Sequence, residues 1–247
     1  MQTITKGLVL RATKTNEADR VLSILTPEQG IISAMAKGAL RLKNKLFSGT
    51  GLFCYSEFTL FQGKSMYIVD DAQVQTVFYG IHDDMENMAL AMYFSELTSV
   101  FSPVDEEAKE MLRLLLNSFY LMSEHKRSSS FLKAVFELRA LSLAGYMPDL
   151  VACADCVRYE GGPFYFDKQT SKIFCSDCAG KRGEICNLDP SALAAMRHIV
   201  FSSDEKLFSF TLGKESEKRL GKVITDYLNT CLDKPLKTAD FLNTILS

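Results

Sequence analysis

The chain has 247 residues, 47% of them hydrophobic and 23% charged, which is the balance of a globular protein and excludes a disordered, collagen-like or supercharged chain. Lys plus Arg is 28 against 30 Asp plus Glu, so the net charge is −2 and the chain as a whole is not a basic nucleic-acid binder. No apolar run reaches the length of a membrane helix, and Met1–Leu10 lacks the order of a signal peptide, so a cytoplasmic protein is expected.

Residues 1–80 read as short strands: Thr3–Lys14, Asp19–Thr26, Gly30–Lys37, Leu52–Phe61, and then Met66–Val69 and Val74–Phe78. Pro27-Glu28-Gln29-Gly30 and Gln62-Gly63-Lys64 carry the turn residues between them. About five short strands with Gly turns predict a small barrel or sandwich.

The period then changes. Met85, Met88, Ala89, Met92, Tyr93, Leu97 and Val100 recur at helical spacing and are expected to face a core. Ser102-Pro103 followed by Asp105, Glu106 and Glu107 reads as a helix start, with acids near the positive end of the dipole. Leu112, Leu115, Leu116, Phe119 and Met122 form the apolar stripe of that helix. A third helix is expected from Ser129 to Ala144, closed by Gly145, and a fourth from Asp189-Pro190 to Phe201. The last is expected from Glu215 to Leu232, with Leu220, Val223, Ile224, Tyr227, Leu228 and Cys231 facing inward.

Residues 151–180 interrupt the helices with cysteines. Cys153-Ala-Asp-Cys156 and Cys175-Ser-Asp-Cys178 are two C-x-x-C pairs with 18 residues between them, a zinc-ribbon spacing. Each pair offers two thiolates from a tight knuckle, and Phe164–Phe166 with Lys172–Phe174 supply a hairpin beside the Gly161-Gly162-Pro163 turn. One structural Zn²⁺ is expected, its four sulfurs leaving no open position for water. Cys186 is close enough in sequence to serve as a spare ligand, whereas Cys54 and Cys231 read as small buried hydrophobes.

No nucleophile elbow, Walker A loop or dinucleotide fingerprint is present, and His82, His125 and His198 each stand alone. The pairs Asp70-Asp71 and Asp83-Asp84 read as solvated loops rather than acid/base pairs. An enzyme is therefore not expected.

The small net charge hides a partition. Residues 1–80 carry +3, residues 81–150 carry −5 and residues 151–247 are neutral, and within the first segment residues 1–47 carry +5. Lys37, Arg41, Lys43 and Lys45 gather in the segment KGALRLKNKLFSG between two strands, where a flexible basic loop beside a curved sheet suits a phosphate backbone. Phe47, Phe53 and Tyr55 lie nearby, placed either to stack bases or to fill the barrel. The residues alone leave two functions open: a nucleic-acid-binding barrel, or a zinc-stabilised interaction scaffold without a DNA role.

The order NEADRVLSILTPEQG, KGALRLKNK, FELRALSLAGYMPDLVACADC, a second C-x-x-C and a late PLKTADFL resembles the RecO family of bacterial DNA repair proteins over essentially the whole length. That resemblance implies an α+β multidomain chain, with an OB-fold at residues 1–80 and a helical domain at 81–247 that carries a four-cysteine zinc insert at 151–180. It implies binding of single- and double-stranded DNA, annealing of complementary strands, and action with RecR in loading RecA onto strands coated by single-strand-binding protein. The acidic helical segment would then contact proteins, among them the tail of single-strand-binding protein. The family's basic OB region maps to Arg11, Arg20, Lys37, Arg41, Lys43 and Lys45, and its zinc ligands to Cys153, Cys156, Cys175 and Cys178. The family loop often has more arginine where this chain has Ala39, Leu40 and Leu42.

Overall fold

In the computed structural model, which describes residues 2–102 and 106–246, strand β1 (Gln2–Thr15) is long enough to serve two partners. Its first half pairs antiparallel with β4 (Cys54–Gln62), from Gln2 opposite Phe61 to Leu8 opposite Tyr55. From Leu8 onward it pairs with β2 (Asp19–Thr26), and a register shift between Val9 and Arg11 bends the strand. Strand β3 (Gly30–Ala36) continues from β2 through the expected turn, and β5 (Tyr67–Val77) pairs antiparallel with β4. A short parallel seam, Ala34 with Tyr67 and Met35 with Ile68, joins β3 to β5 and closes a barrel of order β1-β2-β3-β5-β4.

Val9, Leu22, Ile24, Ile32, Ala34, Phe58, Leu60 and Val69 fill the barrel, each at an alternate, inward-facing position of its strand. Gly7 lies where strands cross closely: a Cβ there would approach Ile24 Cγ2 to 2.5 Å. The segments Met66–Val69 and Val74–Phe78 are one strand, because Asp71 pairs with Thr59 and Asp70 is the extra residue of a bulge between Val69 and Asp71 rather than part of a loop. A four-residue helix α1 (Leu46–Gly49) follows the basic segment, and a second, α2 (Tyr79–His82), follows the barrel; periodicity cannot detect helices this short.

Helix α3 (Met85–Phe101) starts at Asp84, whose carboxylate accepts from the Glu86 N–H at 2.9 Å, so this acid is a cap rather than a free loop residue. Its expected inward face is corrected. Met85, Met92 and Val100 are exposed, while Leu90, Ala91 and Phe94 are buried with Ala89, Tyr93 and Leu97. Burial reaches most of the way round the helix, so a single apolar stripe does not describe it. Helix α4 (Lys109–Ser123) buries Leu112, Leu115, Phe119 and Met122 as its stripe requires. Its expected start is corrected: Ser102 caps the end of α3, Glu106 and Glu107 precede the helix, and α4 begins at Lys109 after Ala108, while Pro103 and Asp105 lie outside the described residues.

Two compact units result, Met1–Lys126 with Thr238–Ser247, and Arg127–Lys237. The second is built on α5 (Ser129–Leu143), α7 (Pro190–Phe201) and α8 (Lys214–Cys231), with the hairpin β6 (Phe164–Asp167) and β7 (Lys172–Cys175) and the short helix α6 (Ser176–Lys181) between α5 and α7. The Gly161-Gly162-Pro163 turn precedes this hairpin. Its actual turn is closed by Asp167, which accepts from Gln169 N and Thr170 Oγ1 at 2.9 and 2.7 Å. Glu137, fully buried on α5, is held by Lys133 at 2.7 Å and by the Thr225 hydroxyl of α8 at 3.0 Å. A further helix, α9 (Lys237–Leu246), follows the one expected to be last, and Glu96 of α3 accepts from both Thr238 N and Thr238 Oγ1, at 2.8 and 2.7 Å.

Candidate functional site

Cys153 and Cys156 sit on a tight turn. The Cys153 carbonyl accepts from Val157 N, and the Cys153 N–H donates to the Arg158 carbonyl, each at 2.9 Å. Val157 takes φ 60° to complete it. Ala154 N donates to the Ile173 carbonyl, which ties this knuckle to β7. Cys175 ends β7 and opens α6, and Cys178 lies in the first turn of that helix. The four Sγ atoms all lie within 4.8 Å of one another, three of the residues buried and Cys156 exposed, so the set could hold one metal ion.

As thiols the four ionise unevenly. Burial opposes ionisation at Cys153, but backbone N–H groups, that of Cys175 first, outweigh it and bring the thiol down to about 6. At Cys178 burial, reinforced by contacts with the other three sulfurs, pushes the thiol up to about 12. Cys186 stands outside the cluster, directed at the Pro163 carbonyl at 3.6 Å. Cys54 is buried in the barrel as expected, whereas Cys231 is only half-buried.

Two ion pairs cross between the knuckles. Asp155, inside the first, accepts from Arg182 beyond the second, and Asp177, inside the second, faces Arg158 beyond the first at 2.9 Å. The arginines thus bring positive charge beside a cluster of sulfurs. Arg197 of α7 adds a clamp. Its guanidinium donates to the carbonyls of Leu150, Val151 and Tyr159 at 2.7, 3.1 and 2.9 Å and covers the Tyr159 ring. Cysteine spacing singles out none of these five charged residues, although the repeated C-x-D-C with an arginine after each pair is the available signal.

The basic segment Lys37–Lys45 is an ordered series of turns rather than a flexible loop. Asp19 accepts from Gly38 N at 2.7 Å, Leu40 N donates to Ala18 O at 2.9 Å, and Asn44 accepts from Leu46 N at 2.9 Å. Ala39 and Leu46 are buried in the barrel core and anchor the segment at both ends. The Gly38 N–H, then Asn16, hold the Asp19 carboxyl below its ordinary value, with Lys37 and Arg41 adding to the effect. Lys37, Arg41 and Lys43 are exposed, as is Arg11 on β1. Lys45 turns toward Asp71 and Asp70 at 3.6 and 3.9 Å. Arg20 lies over the Phe47 ring and donates to Phe47 O and Thr50 Oγ1 at 3.3 and 3.1 Å, so it positions an aromatic that is 37% exposed. Phe53 is corrected as a stacking candidate, because its ring is buried edge-on against Phe119 at 5.2 Å.

Comparison with known proteins covers nearly the whole chain. Residues 1–78 match the family model of the recombination protein O N terminal, and residues 82–240 that of the recombination protein O C terminal. A DNA repair protein RecO of Acetivibrio thermocellus is 36% identical over 98% of this chain and 96% of its own length. That of Dehalococcoides mccartyi is 30% identical over 98% and 95%, and that of Clostridium kluyveri 28% identical over 98% and 94%. No helix among the described residues is long and apolar enough to cross a membrane. A five-stranded barrel, a helical body carrying four gathered cysteines, and matches running through both halves together show that the chain belongs to the RecO family of DNA repair proteins.

Proposed function

We propose that the chain is a non-enzymatic recombination mediator of the cytoplasm and nucleoid. It binds single- and double-stranded DNA on the barrel of residues 1–80, anneals complementary strands, and acts with RecR to load RecA onto strands coated by single-strand-binding protein. The observation that carries this reading is the anchored loop Lys37–Lys45, where exposed cations stand on turns fixed by Asp19 and Ala18. Cations on a fixed loop release counterions from phosphates without first ordering the chain. Two strands neutralised in this way repel each other less, so annealing needs no bond chemistry. Arg11, Lys37, Arg41, Lys43 and Lys45 take phosphates. Arg20 does so too, or supports Phe47 as a stacking face.

The metal is one structural Zn²⁺ on Cys153, Cys156, Cys175 and Cys178. A tetrahedral zinc with sulfurs at about 2.3 Å needs sulfur separations near 3.8 Å, and Cys156 and Cys175 already stand 3.5 Å apart. With four sulfurs the sphere is closed, so zinc supplies folding energy rather than chemistry. The helical body serves protein contacts, including the tail of single-strand-binding protein, and anisotropy with a tail peptide tests that directly.

Strand annealing over a salt series tests the main claim. About six phosphate contacts to a single strand give a log–log salt slope near −4, at about −0.7 each. The charge reversals R41E, K43E and K45E together should abolish annealing and lower the magnitude of the slope by about 2, three contacts' worth, while partner binding survives. A flat slope in the parent protein would instead favour a zinc-stabilised scaffold without direct DNA binding.

A further inference from the structure

The second unit contains a cleft of about 500 Å³ between α8 and the β6 strand, within the size range of ligand sites. Lys218, Arg219 and Lys222 line it from α8, and Lys168 lines it from the hairpin turn. Glu215 and Asp226 are the carboxylates on its wall, so cations outnumber acids there by two. Arg219 is partly committed, with Nε 3.6 Å from the Asp189 carboxylate that also caps α7. Lys168, Lys218 and Lys222 make no ion pair within 4.0 Å among the described residues. Unneutralised ammonium groups gathered in a concave site repel one another, and an anion relieves that repulsion.

The lining narrows the kind of anion. Lys218 and Lys222 are one helical turn apart on the same face of α8, a spacing that lets two ammonium groups meet adjacent phosphates of one strand. Tyr165 is half-buried in the wall and offers a ring, whereas Phe166 is buried edge-on against Tyr227 at 5.2 Å and cannot. The Asn187 amide is fixed, accepting from Phe166 N at 2.8 Å and donating to Phe166 O at 3.0 Å, which stiffens that side of the cleft. Cations spaced along a groove beside an aromatic ring are the elements of a single-strand site.

We propose that this cleft is a second nucleic-acid site, separate from the barrel, which takes adjacent phosphates of a single strand on Lys218 and Lys222 with a base beside Tyr165. The proposal extends the DNA-binding function assigned above but does not depend on the barrel loop. Two independent sites on one chain would let it hold two single strands at once, which is what annealing requires.

The test uses the full chain and a short fluorescein-labelled oligothymidine. With the barrel cations reversed (R41E, K43E and K45E), so that binding at the cleft is what is read, the K218Q and K222Q changes together should lower the magnitude of the salt slope by about 1.4, two contacts' worth, with an unchanged melting curve because both side chains are exposed. Photocrosslinking of the unaltered protein provides a readout that needs no variant, and peptides containing Tyr165 or Lys218–Lys222 should carry the oligonucleotide. An unchanged slope, or crosslinks confined to residues 1–80, overturns the cleft. A polyglutamate peptide that binds the double variant less tightly, with oligothymidine binding unaffected, also overturns it and makes the cleft a protein site. The R41E and K43E changes probe the barrel separately: if they leave the slope intact while K218Q and K222Q reduce it, the barrel assignment fails and the cleft stands.

Discussion

Asp155 and Arg182, 27 residues apart, are joined by two parallel hydrogen bonds of 2.9 and 2.7 Å that bind one cysteine knuckle to the other. The pair is bidentate, the geometry in which a carboxylate and a guanidinium hold each other's orientation as well as their charge. Arg182 also lies over the Phe174 ring at 4.1 Å, which fixes it against β7. Loss of this pair should loosen the relative placement of the two thiol pairs.

The R182A variant should therefore hold zinc about tenfold more weakly, at the lower end of outer-shell effects. Competition with a chromogenic chelator measures this. The C153S variant, which removes a ligand outright, should lose the metal and melt at a lower temperature. Zinc affinity unchanged in R182A would show that the knuckles are positioned by the backbone alone.

Asp19 gives a pH dependence whose sign is fixed. Its carboxyl is held below the ordinary value, by Gly38 N–H first and then by Asn16. A lowered carboxyl contributes stability that is present above its unfolded value and is lost as pH falls through the folded one. The D19A variant, which removes the acceptor, should free the Gly38 amide to exchange faster at neutral pH, and its DNA affinity should fall while the salt slope is kept, because every loop cation remains.

The buried pair on α5 predicts an asymmetric response. Replacing Lys133 by Met takes the nearest cation from the fully buried Glu137 carboxylate, with a cost of about 3 kcal/mol. Adding E137L should recover most of that loss, since two apolar side chains replace an ion pair. Urea denaturation of the two variants measures both values.

Gly221 lies inside α8, where a Cβ would meet nothing within 4 Å. The G221A variant should be stabilised by about 1 kcal/mol, the difference in helix propensity between the two residues. Its position next to Lys222 also makes it a control: a firmer α8 should leave DNA binding no weaker.

Much of this is readable in the residues. The barrel strands, the cap Asp189 and the four cysteines each announce themselves locally, by alternation, by a Pro at the first helical position or by a repeated spacing. What escapes depends on neighbours distant in sequence. Met85 and Met92 satisfy a helical period yet are exposed, because α3 buries most of its circumference and these positions fall on the remaining open side. Phe53 is near the basic loop in sequence, but Phe119, 66 positions later, claims its ring. The loop's order is equally hidden, since it rests on Asp19 and Ala18 of the preceding strand connection. The cleft draws its cations from a hairpin and a helix about 50 residues apart, and no spacing rule joins them.

The parallel seam between β3 and β5 has a mechanical consequence. It holds the barrel shut with two residue pairs, whereas β1 and β4 share seven. A closed sheet gives way at its shortest ladder, so this is where the wall should breathe first, and amides that donate across the β3–β5 seam should exchange faster than those along β1. The chain leaves β3 at Ala36 and enters the basic segment at Lys37, one residue beyond the strand that carries the seam. A nucleic-acid strand drawn along that segment would pull on the weakest stave, so load on the polymer and opening of the barrel would share one hinge.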